Sequence, residues 1–132
     1  MITIDAQQAI ESLRHIVQAK GPEFVYSSPL LGGSCVYVYD GQPSCGVGQA
    51  LVHLGVPLDV VAELDTANCG TGISALSMAT PLHYHGVHVT PQAARVFSQF
   101  QVVQDRGNYS SPTATWRLAL QVAEAEFKNL EA

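Results

Sequence analysis

The stretch TPQAARVFSQFQVVQDRG, residues 90–107, decides the fold class. Ala93, Val96, Phe97, Phe100 and Val103 recur at three- and four-residue spacing, the stripe that one face of a helix presents to a core. Thr90-Pro91 supplies a cap and a first-turn proline, and Gly107 supplies the stop. The next stretch, SPTATWRLALQVAEAEFKNL at 111–130, repeats the start signal at Ser111-Pro112 and carries Trp116, Ala119, Leu120, Ala123, Phe127 and Leu130. Alternating four- and three-residue steps from Trp116 to Leu130 suit packing against the preceding helix as an antiparallel pair, and the same face would also suit a dimer.

Working outward, residues 5–20 place Ala9, Ile10, Leu13, Ile16 and Val17 on one stripe before the stop signals Gly21 and Pro22. Asp5 is the expected cap, with Gln8 completing a capping-box pattern. Residues 45–54 repeat the helical pattern with Val47, Ala50, Leu51 and Leu54, and Ser44 is the expected cap. Shorter helices are expected at 58–64, with Val60, Val61 and Leu64 inward, and at 71–78, with Ile73, Leu76 and Met78 inward. Phe24-Val25-Tyr26 and Cys35-Val36-Tyr37-Val38-Tyr39 are rich in aromatic and β-branched residues and are expected to give a small two-stranded element, with turn chemistry at Asp40-Gly41. Residues 82–89 alternate histidine with apolar or aromatic residues and are expected to be extended. The chain, 1–132, is thus read as a single domain of the α+β class, mainly α, with about five to six helices.

Composition narrows the function. At 132 residues, 47% hydrophobic and 13% charged, the chain is long enough for one core and too apolar for disorder. Its net charge of -5 opposes attraction to phosphate backbones and anionic membranes, so no nucleic-acid partner and no membrane partner are expected. No apolar run approaches the length of a membrane span and no signal-peptide layout is present, which predicts a soluble cytoplasmic protein. The cysteines Cys35, Cys45 and Cys69 are odd in number and match no disulfide framework, so reduced thiols are expected.

Residues 49–64 have the helix, Leu-Gly-Val turn and second helix of a helix-turn-helix. The second helix carries Asp59 and Glu63, followed by Asp65, and no Lys or Arg to meet phosphate or guanine. An acidic face of this kind suits a basic partner protein instead. Cys45, at the expected first turn of a helix, stands where unpaired backbone N–H groups stabilise a thiolate. With His83, His85 or His88 as base it could serve as the nucleophile of a hydrolase, an arrangement similar to bacterial cell-wall cysteine peptidases and amidases. Those enzymes carry their histidine on strands after the helix, whereas the chain after Val89 reads as helical. The competing reading is a small thiol packed under the Tyr37/Tyr39 strand.

His83-x-His85-x-x-His88, with the three cysteines, supplies zinc-ligand types but no C-x-x-C knuckle, and on a strand His88 would face away from His83 and His85 unless the backbone turns at Gly86. No metal site is expected. Gly70-x-Gly72 and Gly46-x-Gly48 lack the rest of a dinucleotide fingerprint, so no cofactor is expected. Tyr26, Tyr37, Tyr39, Tyr84 and Tyr109 could line a binding surface, although alternate tyrosines on a short strand are more often a half-buried sheet face.

Tyr37-Val38-Tyr39-Asp40-Gly41-Gln42-Pro43-Ser44-Cys45-x-x-Gly48-x-Ala50-Leu51, followed by Leu54-Gly55-Val56-Pro57, resembles a group of small uncharacterised proteins of actinobacteria and their bacteriophages. They share a short strand, a polar turn and Cys-x-x-Gly-x-Ala at a helix start, and the likeness extends to a C-terminal helix pair joined near Gln104-Asp105-x-Gly107. The resemblance implies a bacterial or phage origin in the host cytoplasm and brings no activity, cofactor or catalytic residue. The expectation is therefore a non-catalytic accessory protein that binds a protein partner or forms a homo-oligomer, through Asp59, Glu63 and Asp65 and through His83, Tyr84 and His85. The alternative is the Cys45 hydrolase.

Overall fold

The computed structural model describes residues 2–27, 36–70, 74–106 and 114–131, with main chain only at 67–70 and 131. Among them the chain runs β1 (Ile2–Ile4), α1 (Ala6–Lys20), β2 (Val38–Tyr39), β3 (Gln42–Pro43), α2 (Gly46–His53), α3 (Leu58–Gly70), a 3-10 turn (Ala75–Ser77), α4 (Ala79–His83), β4 (Val87–Val89), α5 (Pro91–Asp105) and α6 (Trp116–Glu131). The fold is mainly α, with an antiparallel pair β2–β3 and a parallel pair β1–β4. No helix among the described residues is long and apolar enough to cross a membrane.

α5 is the centre. It packs against α6, α1, α2 and the 3-10 turn, and Ala93, Ala94, Val96, Phe97, Phe100 and Val103 are buried along it. Thr90 Oγ1 accepts the Ala93 N–H at 3.1 Å and Pro91 occupies the first turn, as the sequence pattern requires. On α6, Trp116, Ala119 and Ala123 are fully buried, while Leu120, Phe127 and Leu130 are partly buried against the core. The Trp116 ring is T-shaped to those of Phe24 and Phe100, with centroids 4.7 and 5.7 Å away. Burial of each such large apolar side chain contributes roughly 1.5–3 kcal/mol. The start signal at Ser111-Pro112 lies outside the described residues. The described helix begins after Thr115, whose Oγ1 accepts the Leu118 N–H at 3.2 Å.

α1 starts at a complete capping box: Gln8 N–H donates to Asp5 Oδ1 at 2.8 Å and Asp5 N–H to Gln8 Oε1 at 3.0 Å. Arg14 ties its outer face to Glu124 of α6 at 3.2 Å.

Several elements differ from the sequence expectation. Among the described residues, Phe24–Tyr26 forms no strand with 36–39 and contributes one isolated bridge, Val25 with Thr115. The antiparallel pair is instead a tight hairpin in which Val38 faces Pro43 and Tyr39 faces Gln42. Asp40 and Gly41 both have positive φ, 51° and 74°, the geometry a two-residue hairpin turn demands. The cap of α2 is Cys45, not Ser44: Cys45 is extended at φ -73°, ψ 169°, and its sulfur accepts the Gly48 N–H at 3.4 Å. Ser44 Oγ is hydrogen-bonded to the Tyr26 hydroxyl at 2.8 Å. Leu76 is 57% exposed rather than inward, because a 3-10 turn replaces the expected helix and directs Ala75 and Met78 into the core. Ile73 lies outside the described residues. Residues 79–83 are helical, so the expected extended segment is confined to Val87–Val89. That strand pairs in parallel with Ile2–Ile4, in the register Ile2 with Val87 and Ile4 with Val89.

Candidate functional site: a histidine- and tyrosine-lined groove between α4 and β4

A single chain reversal builds the site. α4 ends at His83, and the Gly86 N–H closes the turn onto the His83 carbonyl at 3.1 Å. Gly86 takes φ +75°, which a side chain would oppose, and the chain then enters β4. The turn at Gly86 brings together residues that an extended segment would separate. His83 and His88 both line a groove of ≈ 580 Å³ with Ala79, Thr80, Tyr84, Val89 and Pro91. His85, between them, is diverted to Glu63 of α3 and forms an ion pair with it when protonated.

The exposure pattern follows from the strand's two faces. Val87 and Val89 are buried, while His88 between them is exposed. Tyr84, at the tip of the turn, is 82% exposed, although a phenol ring of this size is ordinarily at least half covered. Its ring stands edge-on to His83, centroids 6.4 Å apart.

The two surfaces expected separately from the sequence are linked by one ion pair. Asp59 and Glu63 are exposed on α3, and the Glu63–His85 pair joins their helix to the rim of the groove. Asp65 is placed differently. Its two carboxylate oxygens accept the N–H groups of Tyr37 and Val38, at 2.8 and 2.9 Å, so it anchors the β2 strand to α3. Burial raises its pKa above the ordinary carboxylate value, opposed by those two backbone hydrogen bonds.

Cys45 lies apart from the histidines in environment. Its side chain is fully buried, its sulfur bonds to Gly48 N–H, and His83, His85 and His88 are all exposed. The hydrogen bonds of the described residues include none between its sulfur and an imidazole. Cys35 and the Cys69 side chain lie outside the described residues, as do Tyr109 and Gly72. No three His, Cys, Asp or Glu side chains among the described residues are grouped to hold a metal ion. Of the remaining tyrosines, Tyr26 and Tyr37 are core residues and Tyr39 is 46% exposed.

Sequence reasoning missed the rest of the groove's lining, since Ala79, Thr80 and Pro91 carry no chemical signal of their own. It also missed a buried polar framework on α5. Gln101 donates to the Tyr37 hydroxyl at 2.9 Å and accepts the Ala75 N–H at 2.8 Å. Gln104 accepts the Gly46 N–H at 2.7 Å and donates to Asp105 at 3.2 Å. Burial pushes the Asp105 carboxyl up to about 6, against the lowering effect of that Gln104 bond. Comparison with protein-family models, with curated proteins and with solved structures yields no match to the chain.

Proposed function

We infer that the protein is a non-catalytic accessory protein, of bacterial or phage origin, that acts by binding another protein through the α4–β4 groove and the adjoining acidic face of α3. The observation that carries this reading is Tyr84, projecting almost free of its own chain beside a groove lined by His83 and His88. Tyrosine at the edge of a concave site is a frequent energetic anchor of interfaces, because a rigid ring buries much area at small entropic cost. Asp59 and Glu63 add negative charge beside the groove, which favours a partner surface bearing Lys or Arg. The bacterial or phage origin rests on the resemblance of residues 37–57. A hydrolase based on Cys45 is the weaker alternative, since its full burial denies a substrate access to the sulfur.

The test is capture of partners from an actinobacterial lysate by the tagged chain and by its Tyr84→Ala variant, with quantification by mass spectrometry. A protein retained by the wild type and depleted with the variant supports the reading. Equal recovery on both, or no specific protein on either, overturns it.

A further inference from the structure

We propose that His15 and His53 form a chelating site for a divalent transition-metal ion of the imidazole-preferring class, such as Ni²⁺, Cu²⁺ or Zn²⁺. The two residues stand on different helices. His15 lies on the outer face of α1 and His53 is the last residue of α2. Packing of α1 on α2, with Ile16, Ala50 and Leu51 buried, fixes the two backbones relative to one another. The two imidazole rings are held at a centroid separation of 4.0 Å, with 15° between their planes.

The rings are close enough that reorientation can bring one nitrogen of each onto a shared ion. A metal–nitrogen bond of about 2.0–2.1 Å allows two nitrogens on one ion to stand at most about 4.2 Å apart. Directing both in-plane lone pairs at one ion needs rotation about the terminal imidazole torsion, which is soft. Both residues are exposed, so the rings can turn out of the stack and water can complete the coordination shell.

The surroundings tolerate the charge. The pair borders a groove of ≈ 400 Å³ shared with Gln42, Gln49 and Lys20. Gln49 donates its amide nitrogen to the Ser44 carbonyl at 2.9 Å, leaving Oε1 as its acceptor end. The Lys20 ammonium, the cation lining this groove, is drawn over the Phe24 ring at 5.0 Å from its centroid. The chain's net charge of -5 favours cations at its surface.

An ion bridging two helices binds the folded chain more tightly than the unfolded one, so it raises the thermal midpoint. The experiment titrates Ni²⁺ into the wild type, His15→Ala, His53→Ala and the double variant His83→Ala/His88→Ala, following heat of binding and thermal midpoint. The wild type and the double variant are expected to bind one Ni²⁺ with equal affinity and to gain stability from it. Each single variant is expected to bind about tenfold more weakly or worse, and to lose the stabilisation. Absence of Ni²⁺ binding by the wild type overturns the proposal. So does undiminished binding by His15→Ala and His53→Ala, or loss of binding in the double variant alone.

Discussion

Gly48 lies against the backbone carbonyl of Tyr37 so closely that a Cβ at position 48 would stand 2.4 Å from that oxygen. Here the glycine of the Cys-x-x-Gly motif is a packing requirement, since α2 sits directly on the chain entering β2. The same stretch is sealed by two main-chain bonds, Ser44 N–H to the Tyr37 carbonyl and Cys45 N–H to the Val36 carbonyl, both 2.9 Å. Gly48→Ala must move backbone, and overpacking of this kind costs about 1–3 kcal/mol. Urea denaturation is expected to show that loss with an unchanged dependence on denaturant.

Gln104→Leu leaves the buried Gly46 N–H without its acceptor at the start of α2. An unsatisfied buried donor costs about 1–3 kcal/mol, which the small hydrophobic gain of leucine does not offset. Thermal denaturation checks the prediction, and a variant as stable as the wild type contradicts it.

Asp105 makes stability depend on pH. Its carboxyl titrates at about 6 in the fold against an ordinary value of 3.8, raised by burial and partly lowered by Gln104. The folded state holds this proton more tightly than the unfolded chain, so the contribution to stability is greatest at low pH. It is lost as pH rises from about 4 to about 6 and is level above that. Asp105→Asn removes this decline. Thermal midpoints of wild type and variant across pH 4–8 should therefore diverge over that window, with the variant gaining relative to the wild type as pH rises. Parallel profiles contradict the assignment.

Much of this architecture is legible in the sequence, because its main elements are local. The α5 stripe, the Thr90-Pro91 start and the Asp5/Gln8 box each specify their element within one or two helical turns. β1 is not legible, since Ile2-Thr3-Ile4 is too short to show alternation and its partner Val87–Val89 lies far along the chain. Alternating His and apolar residues at 82–89 imitate a strand, and the true reversal depends on one glycine, Gly86. The groove shares that obscurity. His83, Tyr84 and His88 are visible as chemistry, but their convergence is set by a backbone turn. Gln101 and Gln104 read as ordinary polar positions on a helix, although both are buried and bonded to distant backbone and side-chain groups.

Cys45 supplies a test between packing and catalysis. In a chain carrying Cys35→Ser and Cys69→Ser, iodoacetamide is expected to modify Cys45 no faster than the protein unfolds, because its side chain is fully buried. Rapid labelling of the native protein would revive the hydrolase reading.

Photo-crosslinking from position 84 tests directly whether a protein partner docks beside the α4–β4 groove. A benzophenone amino acid replaces Tyr84 in one variant and Gln121, exposed on α6, in another, and each is irradiated in an actinobacterial lysate. One dominant protein adduct is expected from position 84, absent from position 121 and competed away by excess unlabelled wild type. Matching adducts from both positions, or none from position 84, would contradict docking there.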